Sequence, residues 1–122
     1  LELLAPRYPL GVVSARDEDS TLAFLDAFKL CSFFSTVVTS QTCRYTKPFP
    51  DPVLHAAQDL HTEPQACLMV GDTSVDMKAA KLAGAQTAAV LCGFGHRKEL
   101  VRAGADIILD SPTDLPAALG IS

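Results

Sequence analysis

The 122-residue sequence predicts an α/β domain in which a parallel sheet is flanked by helices. Short runs rich in Val, Ile and Leu alternate along the chain with segments in which apolar residues recur every three or four positions. Such alternation is typical of β–α–β units, which build parallel sheets. Polar residues follow two of the strand-like runs, and α/β proteins usually bind their ligands at that end of a strand.

Five runs have the length and composition of strands. In chain order they are Leu10–Val13, Ser35–Thr39, Cys67–Val70, Gln86–Leu91 and Asp106–Leu109. Pro9 marks a turn before the first run, and Gly71 ends the third. The polar stretch from Gln41 to Tyr45 predicts a loop after the second run.

Capping residues and apolar spacing predict helices between these strands. The first runs from a cap within 17–20 to about 28, the second from 52 to about 60, and the third from just after 72 to the glycine at 84. The fourth covers about 98–103, and the fifth runs from 111 to about 119. In the third of these helices, the residues predicted to face inward are Val75, Ala79, Leu82 and Ala83. Gly93–Gly95 predicts a flexible loop before the fourth helix.

The composition excludes several classes of function. A hydrophobic content of 48% supports a sizeable core, whereas a net charge of −4 argues against a nucleic-acid-binding surface. Neither a basic run nor a long apolar run occurs, so we expect no membrane contact. No pair of cysteines has metal-ligand spacing, and we expect reduced thiols in a cytoplasmic protein. The four are Cys31, Cys43, Cys67 and Cys92.

Two carboxylates follow the third strand at a spacing that lets them converge. Asp72 comes directly after the strand, and Asp76 lies in the first turn of the next helix. Mg²⁺ binds oxygen ligands, often one or two carboxylates together with phosphate oxygens. The alternative is structural, because acidic residues are also favoured at helix N-termini without any function.

Two further polar residues are expected at the same sheet edge. Ser14 directly follows the first strand, and Lys47 lies in a segment stiffened by prolines. A hydroxyl can donate to a phosphate oxygen and an ammonium can offset its charge, although each residue alone is more often a turn serine or a solvated lysine. Arg16 and Arg44 could steer an anion, and His96 lies in a loop near the same edge.

The order of these motifs resembles the haloacid dehalogenase superfamily, in its phosphoglycolate-phosphatase-like branch. Ser14 matches the second motif of that family and Lys47 the third, while Asp72 and Asp76 match the fourth. The continuation to Gly84 also matches, so the resemblance covers nearly the whole chain. It implies a Rossmann-like parallel sheet flanked by helices.

The resemblance also implies a chemistry. It implies a Mg²⁺-dependent phosphatase that hydrolyses a small phosphorylated metabolite through an aspartyl-phosphate intermediate. In that scheme Ser14 holds the phosphoryl group, and Lys47 acts as a catalytic residue that orients the nucleophile and the phosphate. Asp72 binds the metal directly, and Asp76 binds it directly or through water.

The first motif of the family, a nucleophilic Asp with a second Asp two residues later, is not found upstream of Ser14. Asp17 and Asp19 have that spacing, but they lie in a polar stretch after Ser14 and are better helix caps. The chain begins at Leu1 rather than at Met. We therefore expect residues 1–122 to be the C-terminal part of the core domain, inactive alone, with the central first strand and the cap domain missing. The strands before Ser14 and Asp72 should then not be neighbours.

Three other interpretations remain open from the sequence. A non-catalytic module of the same fold could serve binding or regulation. A phospho-accepting receiver domain also combines carboxylates, a hydroxyl and a lysine, but its acidic pair comes first and its lysine last. A dinucleotide-binding domain is disfavoured because no glycine-rich loop follows the first strand.

Overall fold

A computed structural model describes residues 1, 3–91 and 96–120. The strands are β1 (Gly11–Val13), β2 (Thr36–Val38), β3 (Leu68–Gly71), β4 (Gln86–Val90) and β5 (Ile107–Leu109). The helices are α1 (Glu18–Ala27), α2 (Asp51–Asp59), α3 (Ser74–Ala83), α4 (Arg97–Ala103) and α5 (Leu115–Ala118). Single 3-10 turns, which the sequence analysis did not anticipate, cover Cys31–Phe33, Pro64–Ala66 and Pro112–Asp114.

All five strands run parallel, which confirms the predicted fold class, but they form two separate sheets. β1 pairs with β2, and β3 pairs with β4, which pairs in turn with β5. The register places Val12 opposite Val37 in the first sheet and Val70 opposite Ala88 in the second. β1 and β3 do not pair with each other in the described chain, as predicted for the strands that lead to Ser14 and Asp72.

Helix packing joins the two sheets where backbone pairing does not. On one face, Val53 of α2 packs against Ala79 and Ala80 of α3, and small side chains allow this close approach. On the other face, Leu4 packs with Ala88 and Leu115, and Leu10 lies against this group. The core is therefore continuous across the gap between β1 and β3.

Burial differs between the strands because they differ in their number of neighbours. The residues of β4 from Thr87 to Val90 are at most 5% exposed, since β4 lies between two strands and under helices. β3, which carries the apolar run before Asp72, is only half-buried along its whole length. The same holds for Val12 and Val13 of β1.

The inward face predicted for α3 is partly wrong. Ala79 and Ala83 are buried, whereas Val75 is 39% exposed and Leu82 is 68% exposed. Met77 and Ala80 are fully buried in their place. The helix packs against α2 on one side and α4 on the other, so its buried arc is wide and is filled by small residues that gave no periodic apolar signal.

The described residues bear on the expectations about membrane contact and about the cysteines. No helix in the described ranges is long and apolar enough to cross a membrane. The thiols of Cys31, Cys43 and Cys67 are free. Cys92 and the glycine loop predicted at 93–95 lie outside the described residues.

Candidate functional site

A cavity of about 520 Å³ opens at the carboxyl ends of β1 and β3, over the gap between the two sheets. All four residues singled out from the sequence line it, namely Ser14, Lys47, Asp72 and Asp76. The remaining lining residues are Val13, Ala15, Arg16, Met69, Val70, Gly71 and Thr73. The two sheets thus contribute one wall each, and Lys47 enters from the loop between β2 and α2.

Ser14 is held at the end of β1 by contacts of its backbone and its hydroxyl. Its backbone N–H donates to the carbonyl of Val38 at 2.8 Å, which extends the pairing of β1 with β2. Its Oγ accepts from the backbone N–H of Arg16 at 3.1 Å and lies 3.3 Å from the hydroxyl of Thr21, which donates to the carbonyl of Asp17 at 2.8 Å. Because a hydroxyl accepts through its lone pairs and donates through its own proton, the bond from Arg16 leaves the Ser14 O–H able to donate to an anion in the cavity.

Lys47 bridges the two halves of the cavity. Its side chain is only 11% exposed, and its Nζ donates to Asp76 Oδ1 at 2.5 Å. The same ammonium donates to the backbone carbonyl of Val13 at 3.3 Å, at the end of β1. A nearly buried ammonium is costly unless it is paired, so these two acceptors fix the position of the charge.

Asp76 is the most constrained carboxylate of the site. Its side chain is 8% exposed, and its Oδ2 accepts from the hydroxyl of Thr73 at 2.9 Å and from the backbone N–H groups of Asp72 and Thr73 at 3.2 and 3.3 Å. Thr73 caps α3 in return, because its hydroxyl accepts from the N–H of Asp76. This reciprocal capping box places Asp76 in the first turn of the helix.

Gly71 makes room for the Asp76 carboxylate. A Cβ atom at Gly71 would lie 2.5 Å from Asp76 Cβ and 2.6 Å from Asp76 Oδ2, closer than real atoms approach. Any other residue here would push the carboxylate from its position. The glycine that ends β3 is therefore required by the close approach of Asp76.

The donor set suits a hard cation such as Mg²⁺. Asp72 is half-buried and lines the cavity directly after β3. Asp76 lines it too, and its oxygens accept hydrogen bonds from Lys47 and from the groups of the capping box. The described residues contain no cluster of three or more His, Cys, Asp or Glu side chains placed to hold a metal. Mg²⁺ does not need one, because phosphate and water oxygens complete its shell.

Several other candidates lie away from the cavity. His96 precedes α4 and is exposed, and it is not among the lining residues. Arg44 stacks over the ring of Tyr45, with 5.5 Å from its guanidinium carbon to the ring centroid. Asp17 is the N-cap residue of α1, although its side chain makes no capping bond, and Asp19 lies in the first turn.

Two threonines outside the four candidate residues also position the site, namely Thr21 and Thr73. Thr73 could have been found, because Thr followed three residues later by an acidic residue before an apolar run is a capping-box pattern. Thr21 is 4% exposed and reaches Ser14 across the start of α1. No local pattern signals that contact, because it depends on how α1 folds back on β1.

The chain is similar to known hydrolases in both sequence and structure. Residues 1–90 match the family described as haloacid dehalogenase-like hydrolase. Over 119 residues the chain is 33% identical to phosphoglycolate phosphatase of Escherichia coli K12, covering 98% of this chain and 47% of that protein. Over 115 residues it is 34% identical to pyrophosphatase PpaX of Anoxybacillus flavithermus, covering 94% of this chain and 54% of that protein.

Solved structures show the same architecture. A predicted phosphoglycolate phosphatase from Haemophilus somnus 129PT superposes with a TM-score of 0.87 at 26% identity, over 97% of this chain and 52% of that one. The chain thus spans about half the length of the relatives that it matches.

Proposed function

Because this chain belongs to the haloacid dehalogenase-like hydrolases, we propose that it supplies the phosphate- and metal-binding residues of a Mg²⁺-dependent phosphatase. The proposed substrate is a small phosphorylated metabolite. The observation that carries the proposal is the convergence of Ser14, Lys47, Asp72 and Asp76 on one cavity at the carboxyl ends of β1 and β3. The relatives named phosphatase and pyrophosphatase support the reaction class.

In this proposal the residues of the chain divide into two roles. The Ser14 hydroxyl donates to a phosphoryl oxygen, and the Lys47 ammonium offsets the charge that develops there. Asp76 holds Lys47 in place, and Asp72 holds the metal. A bound Mg²⁺ would polarise the phosphoryl group and neutralise part of its charge.

The attacking group is proposed to come from outside these 122 residues. Neither Asp17 nor Asp19 lines the described cavity, and Asp72 and Asp76 serve the metal and Lys47. The half-buried edges of β1 and β3 face a gap that a further strand could fill, and a nucleophilic Asp at its carboxyl end would reach the cavity. We propose on this ground that residues 1–122 form the C-terminal part of a core domain and are inactive alone.

The central experiment is Asp72→Asn in the protein with its natural flanking sequence. Loss of the charge should weaken Mg²⁺ binding and lower phosphatase turnover by about a thousandfold, since a metal ligand supplies several kcal/mol of charge stabilisation. Calorimetric titration of Mg²⁺ and turnover of a chromogenic phosphomonoester measure the two effects. The matched control is Asp26→Asn, an exposed carboxylate on α1 away from the cavity. Parent-like Mg²⁺ affinity and turnover in Asp72→Asn would reject the metal-ligand role.

The names of the relatives suggest the first substrates to assay. Phosphoglycolate and inorganic pyrophosphate each join a phosphate to a second anionic group, and both should be compared with an uncharged ester. A proposed cytoplasmic location rests on the free thiols of Cys31, Cys43 and Cys67, and cell fractionation tests it.

The alternative function is a binding or regulatory module with the same site but without turnover. The strongest support for it is that this chain places no nucleophilic Asp pair in the described cavity. Assay of the 122-residue chain beside the protein with its flanking sequence separates the two. Turnover only in the longer protein supports the phosphatase, and turnover in neither supports the module.

A further inference from the structure

The helix α1, which follows Ser14, is capped by a side chain from a distant part of the sequence. Asp17 occupies the N-cap position, but its side chain makes no capping hydrogen bond. The first helical N–H, that of Glu18, instead donates to Oε1 of Gln41 at 2.7 Å, across 23 positions of sequence. Gln41 thus satisfies a donor that the start of a helix leaves open.

Gln41 is itself fixed by a turn just after β2. Its backbone N–H donates to Thr39 Oγ1 at 3.2 Å, and Thr39 is only 3% exposed. The hydroxyl of Thr42 closes the turn, because it accepts from the N–H of Thr39 at 2.9 Å. A side chain that leaves from a backbone held in this way loses less conformational freedom when it caps α1.

The same turn holds the segment between β1 and α1 at a second point. The N–H of Ser40 donates to the carbonyl of Arg16 at 2.8 Å. The N–H of Arg16 donates in turn to Ser14 Oγ at 3.1 Å. The segment from Ser14 to Glu18 is therefore attached to the turn twice, once through the backbone and once through the Gln41 side chain.

The start of α1 also reaches the Ser14 hydroxyl. The Thr21 hydroxyl donates to the carbonyl of Asp17 at 2.8 Å and lies 3.3 Å from Ser14 Oγ. Thr21 is 4% exposed and belongs to the first turn of α1, the part of a helix that frays when its cap is lost. The position of Ser14 Oγ therefore depends on how firmly α1 begins.

We infer that Gln41 is a positioning residue for phosphate binding, because its side chain fixes the start of α1 and thereby the Ser14 hydroxyl. The inference rests on the proposed role of Ser14 in holding the phosphoryl group. Gln41 is not among the described residues that line the cavity, so it acts on a bound phosphate only through the segment that it holds. The turn that carries Gln41 also begins the loop of Lys47, and one small turn thus supports both residues proposed to bind phosphate.

Phosphate binding in a double-mutant cycle tests the inference without relying on turnover. In the protein with its natural flanking sequence and excess Mg²⁺, calorimetry measures the dissociation constant of inorganic phosphate for the parent, Ser14→Ala, Gln41→Met and the double variant. Ser14→Ala should weaken binding about tenfold and Gln41→Met about fivefold, the range expected for single hydrogen bonds. In the Ser14→Ala background, Gln41→Met should weaken binding less than about twofold, because the hydroxyl that it positions is already gone.

Two further measurements separate positioning from a general loss of structure. The matched control is Gln58→Met, an exposed glutamine near the end of α2, which should keep the phosphate affinity of the parent. Amide hydrogen exchange should become several-fold faster at Arg16 and Glu18 in Gln41→Met, while exchange at Ala88 within β4 should stay as in the parent.

The outcomes distinguish failure of the inference from failure of the proposed function. Parent-like affinity in Gln41→Met, or equal weakening with and without the Ser14 hydroxyl, would overturn the inference alone. Faster exchange at Ala88 would overturn it too, because the whole fold would then have loosened. Absence of phosphate binding in the parent, or parent-like affinity in Ser14→Ala, would reject the proposed phosphate site and the inference with it.

Discussion

The two halves of the molecule are built from the same β–α units but differ in how completely they are buried. In the larger half, β3, β4 and β5 pack with α3 and α4, and β4 is almost fully enclosed. In the smaller half, β1 and β2 form a two-stranded sheet in which Val38 is the only fully buried residue. A strand with two neighbours is protected on its edges as well as its faces, whereas a two-stranded sheet is not.

This difference divides the candidate site into two parts. Asp72, Thr73 and Asp76 come from the larger half and are held by the capping box of α3. Ser14 and Lys47 come from the smaller half and its loop to α2. The proposed metal-binding side is therefore well supported within its own half, while the proposed phosphate-binding side depends on contacts across the gap.

Asp76→Asn should lower the free energy of unfolding the most, because it removes the ion pair with Lys47 that joins the two halves. The variant leaves the ammonium of Lys47 nearly buried without its charged partner, and loss of one member of a buried pair typically costs about 3–5 kcal/mol. Urea unfolding of the variant and of the parent measures the change in free energy. The double variant Lys47→Met with Asp76→Asn should recover part of the loss, because it removes the stranded charge. A loss below about 1 kcal/mol in Asp76→Asn would show that the pair does not join the halves.

Truncation of one apolar side chain in each half sharpens the comparison. Leu100 is fully buried between α4 and the larger sheet, so Leu100→Ala should lower the free energy of unfolding by about 3 kcal/mol. Val12 of β1 is only half-buried, so Val12→Ala should cost about 1 kcal/mol or less. Chemical denaturation measures both. Equal losses would mean that the smaller half is as well packed as the larger.

The smallest expected effect concerns an exposed ion pair within the larger half. Lys81 donates to Asp106, which also accepts from the N–H of Thr87 at 2.9 Å. The hydrogen bond from Lys81, followed by that from Thr87, holds the pKa of the Asp106 carboxyl below its usual range. Because both charged side chains are more than a third exposed, Lys81→Met should cost less than about 1 kcal/mol at pH 7.

The stability lost in Lys81→Met should decrease as the pH falls. A carboxyl with a lowered pKa in the folded state adds stability above the pKa of the unfolded chain and loses it as the pH falls through the folded pKa. The difference between Lys81→Met and the parent should therefore shrink below about pH 4. Thermal unfolding from pH 7 to pH 3 measures it, with Lys78→Met, an exposed lysine of the same helix, as the control. A difference that stays constant to pH 3 would contradict the assignment to Asp106.

Much of the fold was predictable because its elements have strong local signals. Each strand was found within one or two residues, since runs such as Leu68–Val70 are apolar and are bounded by turn residues. Gly84 ends α3 with φ of 86°, the left-handed conformation that favours glycine at this position. Burial was harder to predict. Leu82 was expected to face inward because it is large and apolar, but it is 68% exposed. The helix α3 instead packs through alanines, which allow α2 and α4 to approach closely.

The residues of the site were predictable but their contacts were not. Ser14, Asp72 and Asp76 follow strands that must end at the same edge, so their convergence follows from the topology. The pairing of Lys47 with Asp76 depends on how a loop between β2 and α2 returns to the sheet. That path is set by tertiary packing, and no spacing along the chain encodes it.

The order of the strands has a consequence for how the chain folds as it is synthesised. Every strand pairs with its immediate neighbour in the sequence, so each sheet can close over a short stretch of chain. Val53 of α2, however, is covered by Ala79 and Ala80, which emerge later from the ribosome. We expect a nascent chain that ends before α3 to expose this apolar face and to bind chaperones, and one that extends past Ala83 to release them.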